Sequence, residues 1–166
     1  TRFSRIQLTE IIMAVEIRQV QDKSELKRFV QFGNELYKKN PYHVPVLIDD
    51  ELGTLDKDRN PAFEFCEAAY FLAYRDGRIV GRIAGIINHR ANETWNQSNA
   101  RFGFLDFIND NAVVDALFEV VENWARSKGM EMLQGPMGFT DMDKEGMLVE
   151  GFDQLGTMST IYNYAY

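Results

Sequence analysis

The chain has 166 residues, 45% of them apolar and 13% aromatic, and a formal net charge of −7. That is enough chain for one domain with a real core, and too apolar a composition for general disorder. The clustered Lys and Arg that hold nucleic-acid phosphates or an anionic membrane surface are absent, so a soluble enzyme or a cationic partner fits better.

Taken in order, the first twelve residues, TRFSRIQLTEII, are basic but lack the apolar run of a signal peptide, and Met13 then opens MAVEIRQV. Residues 1–12 are therefore expected to be an upstream extension or cloning remnant, with one domain over 13–166. Ala14 to Gln21 alternates, with Val15, Ile17 and Val20 facing inward as a first strand. Asp22 and Glu25 make a capping-box pattern. The helix behind them puts Leu26, Phe29, Val30, Gly33, Leu36 and Tyr37 on one face and stops before Pro41. Leu47 to Leu55 suits a short helix, and Asn60-Pro61 a turn. The aromatics between Tyr42 and Glu67 suit either the lining of a substrate pocket or, as is chiefly expected, a cover for the sheet edge. His43 has no second ligand at metal spacing. Cys66 is the sole cysteine, so no internal disulfide forms; a small buried hydrophobe in a reducing, cytoplasmic compartment is expected.

Ala69 to Tyr74 and Arg78 to Asn88 flank Asp76-Gly77, whose residue types supply the positive φ angles of a two-residue hairpin turn. From His89 to Asn99 a solvated polar loop is expected. Arg101 to Ile108 suits a mostly buried strand, and Asn109-Asp110-Asn111 offers helix caps. Val113, Leu117, Val120, Val121 and Trp124 then form the strongest helical stripe in the chain, ended by Lys128-Gly129. Met130 to Gln134 is a second short strand, stopped by Gly135-Pro136. Strand, capped helix, strand is a βαβ unit with parallel strands, and its helix N-terminus is a standing place for an anion. The tail from Gly135 is rich in glycine and carries Asp141, Asp143, Glu145, Glu150 and Asp153. It reads as a turn-rich loop or as an acidic segment that recognises or deprotonates an amine. No window approaches about 18 uninterrupted apolar residues, the length of a membrane span.

This order of elements resembles that of the GNAT acyltransferase superfamily, over roughly residues 14–166. The strings FLAYRDGRIVGRIAG, WARSKGM, LQGPMGF, GMLVEGFD and YNYAY resemble a bacterial branch of it. The resemblance implies an α/β (α+β) fold, a mixed central sheet flanked by helices, with the superfamily's C-terminal helix and strands missing. It implies acetyl-CoA as co-substrate, held where the fourth and fifth strands splay apart, and no metal. On matching positions, the backbone of Phe107, Ile108 and Asn109 would meet pantetheine, and the amides of Asn111, Ala112 and Val113 the pyrophosphate. The superfamily's phosphate loop is Q/R-x-x-G-x-G/A, whereas Asn109 to Val113 has neither glycine nor basic residue.

The activity implied is transfer of an acetyl group from acetyl-CoA directly to an amine on a small molecule or peptide. Glu145 or Asp143 is the base expected from the acidic tail, acting through water, and Tyr162 is among the phenols that could protonate the leaving thiolate. The alternative is a non-catalytic binding module that keeps the fold and has lost the pyrophosphate loop. A helix N-terminus offers an anion roughly 0.3–1 kcal/mol. A carboxylate at Asp110 about 6 Å from a phosphate, at an effective dielectric near 20, opposes it by about 3 kcal/mol. Pyrophosphate binding therefore requires Asp110 to turn away as a cap. An unpaired sheet edge would allow a homodimer by strand addition.

Overall fold

The computed structural model describes residues 14–156 and 161–165. The extension expected at residues 1–12 and the terminal Tyr166 lie outside the described residues. Five strands form one sheet in the order β1-β2-β3-β4-β5. β1 (Glu16–Gln19), β2 (Cys66–Arg75), β3 (Arg78–Asn88) and β4 (Asn99–Phe107) pair antiparallel in turn, and β5 (Met132–Gln134) joins β4 in parallel. The β2–β3 turn has Asp76 at φ 50° and Gly77 at φ 73°, the left-handed pair that the Asp-Gly dipeptide predicts.

Alternation along the strands sorts the core into two layers. Tyr70, Leu72, Tyr74, Ala84 and Ile86 face α1 (Lys23–Tyr37) and α2 (Ile48–Leu55). Ala69, Phe71, Ala73, Val80 and Ile83 face α4 (Asn111–Ser127). A helix on each face is what a sheet apolar on both sides requires. α1 is capped as expected: Asp22 accepts from the Glu25 amide at 2.8 Å. Glu25 Oε2 takes the Gln21 amide at 2.7 Å, one residue earlier than a standard capping box. α4 settles closely on β3 because residue 85 is glycine. A Cβ there would stand 2.6 Å from the Trp124 ring.

The polar loop expected from His89 is instead α3 (His89–Trp95). Asn88 caps it by accepting from the Ala91 amide at 2.8 Å, and Asn96 closes it in the left-handed region at φ 47°. Seven residues with no buried side chain leave no apolar stripe to read, so only its caps carried the signal.

Two irregularities of β4 position the site. Pairing with β5 covers Asn99↔Met132, Ala100↔Leu133 and Arg101↔Gln134 and goes no further, although β4 continues to Phe107. Against β3, the register passes from Arg82↔Asp106 to Ala84↔Gly103, so β4 spends one more residue than its neighbour. Phe104, at φ 49°, sits in that bulge.

Candidate active site

Where β4 and β5 part, a cavity of about 650 Å³ opens. Its floor is the bulged part of β4 with Arg82 of β3. Its walls are α1, the 42–46 segment and α2, and the tail from Pro136 closes the far side.

The tail is tied down at several points. Met137 donates its amide to Phe102 O at 2.9 Å, and Gly146 donates to Pro136 O at 2.9 Å. Asn163 accepts from the Leu148 amide at 2.8 Å and donates to Leu148 O at 3.2 Å. Tyr164 Oη donates to Leu36 O at 2.7 Å, which anchors the returning chain on α1. Phe139 is fully buried against Phe63, so part of this segment belongs to the core.

The floor carries a buried ion pair. Arg82 is 6% exposed and Asp106 7%. Arg82 Nε donates to Asp106 Oδ2 at 2.8 Å and Nη2 stands 2.7 Å from the same oxygen. Arg82 Nη1 donates to Phe29 O at 2.9 Å, and Tyr37 Oη donates to Asp106 Oδ1 at 2.8 Å. Each charge is thus paired and further hydrogen-bonded, the condition for tolerating charge in a core.

Above this floor stand two less satisfied groups. His43 lies between the rings of Tyr37 and Tyr162, at centroid distances of 5.1 and 5.8 Å. Both of its ring nitrogens are buried without a hydrogen-bond partner, and burial pushes its pKa down, so the imidazole is neutral near pH 7. Glu51, from the first turn of α2, also lines the cavity. Burial pushes its carboxyl up, against the pull of Arg82 and Lys144.

Of the residues expected from sequence to do chemistry, the structure brings Asp143 and Tyr162 to the cavity and leaves Glu145 exposed outside its lining. Asp143 Oδ2 accepts from Thr140 N at 2.9 Å, so that carboxylate shapes its own turn. Tyr162 Oη is hydrogen-bonded to Asn40, and burial raises its pKa, which keeps the phenol protonated. The 42–46 segment lines the cavity with Tyr42, His43, Val44 and Val46, more than the edge cover chiefly expected of it. Sequence reasoning missed Tyr37, His43, Glu51 and the Arg82–Asp106 pair. A charged residue of opposite sign inside each of two apolar strands, IVGRIAG and FGFLDFI, was the available signal for the pair.

The expected acyl-CoA contacts divide. Ile108 donates its amide to Val80 O at 2.9 Å, so that amide is already used within the sheet. Backbone groups alternate along a strand, so Ile108 turns toward β3 and Phe107 the opposite way. Asn109, Asn111 and Ala112 are exposed at the start of α4 and Val113 is buried. Asp110 has become the cap: its Oδ1 accepts from the Ala112 amide at 2.9 Å and its carbonyl from Val113 at 3.1 Å. Its other carboxylate oxygen pairs with Arg75, which holds the Asp110 carboxyl below the usual range. A thioester arm fits the parting of β4 and β5. The pyrophosphate end is a poorer fit, because the Asp110 cap already takes the Ala112 and Val113 amides.

A mixed sheet flanked by helices, with parallel β4 and β5 diverging beside a bulge, is the fold of the GNAT acetyltransferases, and the chain has that fold. Similar solved structures include a tandem GNAT protein from the clavulanic acid biosynthesis pathway, with TM-score 0.56, 17% identity, and 72% of this chain and 35% of that one covered. The aminoglycoside N-acetyltransferase AAC(6')-Iy in complex with CoA gives TM-score 0.52 and 20% identity over 75% of this chain and 77% of its own. A predicted acetyltransferase from Clostridium acetobutylicum, solved with acetyl-CoA, gives 0.52 and 12% over 75% and 81%. Among curated proteins the chain is similar to Protein YghO of Escherichia coli (strain K12), 32% identical over 137 residues. It is also similar to the Bacterial ceramide synthase of Caulobacter vibrioides (strain NA1000 / CB15N), 34% identical over 135. These matches take in 82% and 81% of this chain, which spans about a third (35%) of the length of either relative. No family model matches the chain.

Proposed function

We propose that this chain carries an acyl-CoA-dependent N-acyltransferase site, acting by direct transfer from the thioester to an amine. The observation that supports it most is the parting of β4 from β5 after Arg101↔Gln134, beside a bulge and onto a cavity. Past Phe102, whose carbonyl Met137 holds, the divergence leaves room beside β4 for a pantetheine arm, and amides at the bulge can polarise a thioester carbonyl. Tyr162 is the proposed acid for the departing thiolate. Acetyl-CoA is the proposed donor, since two of the similar structures hold acetyl-CoA or CoA. One relative is named a ceramide synthase, and a ceramide is an amide, which agrees with an amine acceptor. A cytoplasmic setting, where acyl thioesters and reduced Cys66 coexist, suits this reading. Among the described residues no helix is long and apolar enough to cross a membrane.

Calorimetric titration with acetyl-CoA and desulfo-CoA, followed by thiol release over a panel of amines, tests the proposal. Saturable binding with amine-dependent thiol release supports it. A folded protein that ignores both ligands at millimolar concentration favours the second reading, a non-catalytic module, for which the Asp110 cap on the Ala112 and Val113 amides speaks.

A further inference from the structure

Above the Arg82–Asp106 floor, four rings from three parts of the chain meet. Tyr37 comes from α1, His43 from the segment after it, and Tyr162 and Tyr164 from the tail. The Tyr37 ring centroid lies 5.1 Å from His43, 5.2 Å from Tyr162 and 5.0 Å from Tyr164, and His43 lies 5.8 Å from Tyr162. This cluster and a few polar ties hold residues 161–165 on α1. Tyr164 Oη donates to Leu36 O, Tyr162 Oη is hydrogen-bonded to Asn40, and Asn163 both accepts from and donates to the Leu148 backbone. Ile161, Tyr162 and Asn163 line the cavity, so lifting this stretch opens one wall.

Of the four rings, only the imidazole changes charge near neutral pH. Both of its nitrogens are closed off from water and, among the described residues, have no hydrogen-bond partner. A neutral imidazole bears that position at the cost of unmade hydrogen bonds. An imidazolium, with a full charge and two N–H donors, bears it far less well. The hydroxyls beside it are already used, Tyr37 on Asp106 and Tyr162 on Asn40. The charged groups that bear on the ring are Asp106 from β4, Lys144 from the tail and Arg82 from β3. Burial is the largest influence and lowers the pKa; Asp106 opposes it, and Lys144 and Arg82 add to it. Glu51 from α2 lines the same cavity.

We propose that His43 is an acid-sensitive latch: neutral, it packs residues 161–165 against α1 at the side of the cavity, and protonated, it releases them. The charged ring reaches water only once Tyr162 has moved off it. The open form therefore binds the proton more tightly than the closed one, and each proton taken up shifts the balance toward opening. The latch governs access to the cavity whatever binds there, so it stands apart from the acyltransferase reading.

The test is amide hydrogen exchange of the free protein, followed residue by residue by NMR from about pH 5 to 8 and corrected for the intrinsic pH dependence of exchange. The reporter is Leu148, whose N–H is held at 2.8 Å by Asn163 Oδ1 of the latched stretch. Its protection is expected to stay level above about pH 6.5 and to fall by up to about tenfold per pH unit below it. Leu148 should also exchange about tenfold or more faster than Ile108, whose amide is locked to Val80 O, because the latch opens without unfolding the sheet. His43→Phe keeps a ring between the tyrosines and takes no proton, so its Leu148 protection should stay level throughout. A second measurement reads the same coupling from the other end. In His89→Gln, which leaves His43 as the one histidine of the chain, the ring-proton shift is titrated with and without Tyr164→Phe. Loosening the latch should move the His43 pKa up toward its ordinary value of about 6.5. Parent protection that stays level down to pH 5, an equal fall in His43→Phe, Leu148 exchanging no faster than Ile108, or a His43 titration indifferent to Tyr164→Phe each overturns the proposal.

Discussion

Tyr37 Oη donates to Asp106 Oδ1 across 2.8 Å, while Arg82 holds the other oxygen of the same carboxylate. One side chain of β4 thereby ties helix α1 and strand β3 together beneath the cavity. Truncating the partners should cost unequally. Arg82→Met leaves Asp106 buried without its counter-charge and should cost about 3–5 kcal/mol. Tyr37→Phe removes one donor from a carboxylate that keeps its arginine, for about 1–3 kcal/mol. Urea unfolding monitored by circular dichroism measures both, and a smaller loss for Arg82→Met than for Tyr37→Phe would contradict this account.

Gly33 offers a test of sign. Replacing an interior helical glycine by alanine ordinarily stabilises by about 1 kcal/mol. Here a Cβ would lie 2.6 Å from Arg82 Nη2 and 3.2 Å from Asp106 Oδ2. Displacing a buried ion pair outweighs the helix gain, so Gly33→Ala should lower the melting temperature.

Asp110 separates helix capping from ligand charge. Asn caps as well as Asp, so Asp110→Asn should keep the Ala112 contact and release Arg75 from its ion pair. Removing one negative charge about 6 Å from a phosphate is worth roughly 0.7–3 kcal/mol for dielectrics between 80 and 20. Acetyl-CoA should bind about three- to a hundredfold more tightly, most clearly at low salt. Unchanged affinity across salt concentrations would place the pyrophosphate elsewhere.

Glu51 should make the fold less stable at neutral pH. Its folded-state pKa is raised, so the folded chain binds its proton more readily than the unfolded one. That contribution is fully present below the unfolded value, about 4.3. It is lost as pH rises through the folded value. Glu51→Gln should therefore raise the melting temperature at pH 8 and not at pH 4. His43 works the other way: its lowered pKa adds stability above about pH 6.5 that fades as pH falls. Its replacement by Gln should reduce the acid sensitivity of melting below that pH.

Cys66 is buried 4.0 Å from Phe139 O, and burial pushes its thiol up to about 11. With so little thiolate at pH 8, aromatic disulfide reagents should leave it unmodified in the folded protein and titrate it in urea. Rapid modification without denaturant would show that this part of the core opens.

Much of this architecture was legible. The Asp76-Gly77 turn, the Asp22 cap and the stripe from Val113 to Trp124 are local signals, and the βαβ unit follows from their order. The site was less so. His43, Glu51 and Asp106 come from three separate elements, and nothing local tells that they meet. Asp143 and Tyr162 reached the cavity with the tail, while Glu145, two residues after Asp143 in the same acidic run, did not. Composition marks such a segment without fixing which way its turns aim each side chain.

The extra residue at Phe104 also sets the parity of β4. Phe102 and Phe107 pack on the α4 side although an odd number of steps separates them, and Phe104 and Asp106 face α1. Removing any single residue between them would swing Asp106 into oily surroundings with no arginine to meet it. Through this stretch the chain can therefore grow or shrink only in twos, and homologues aligned to it should show no odd-length gap there.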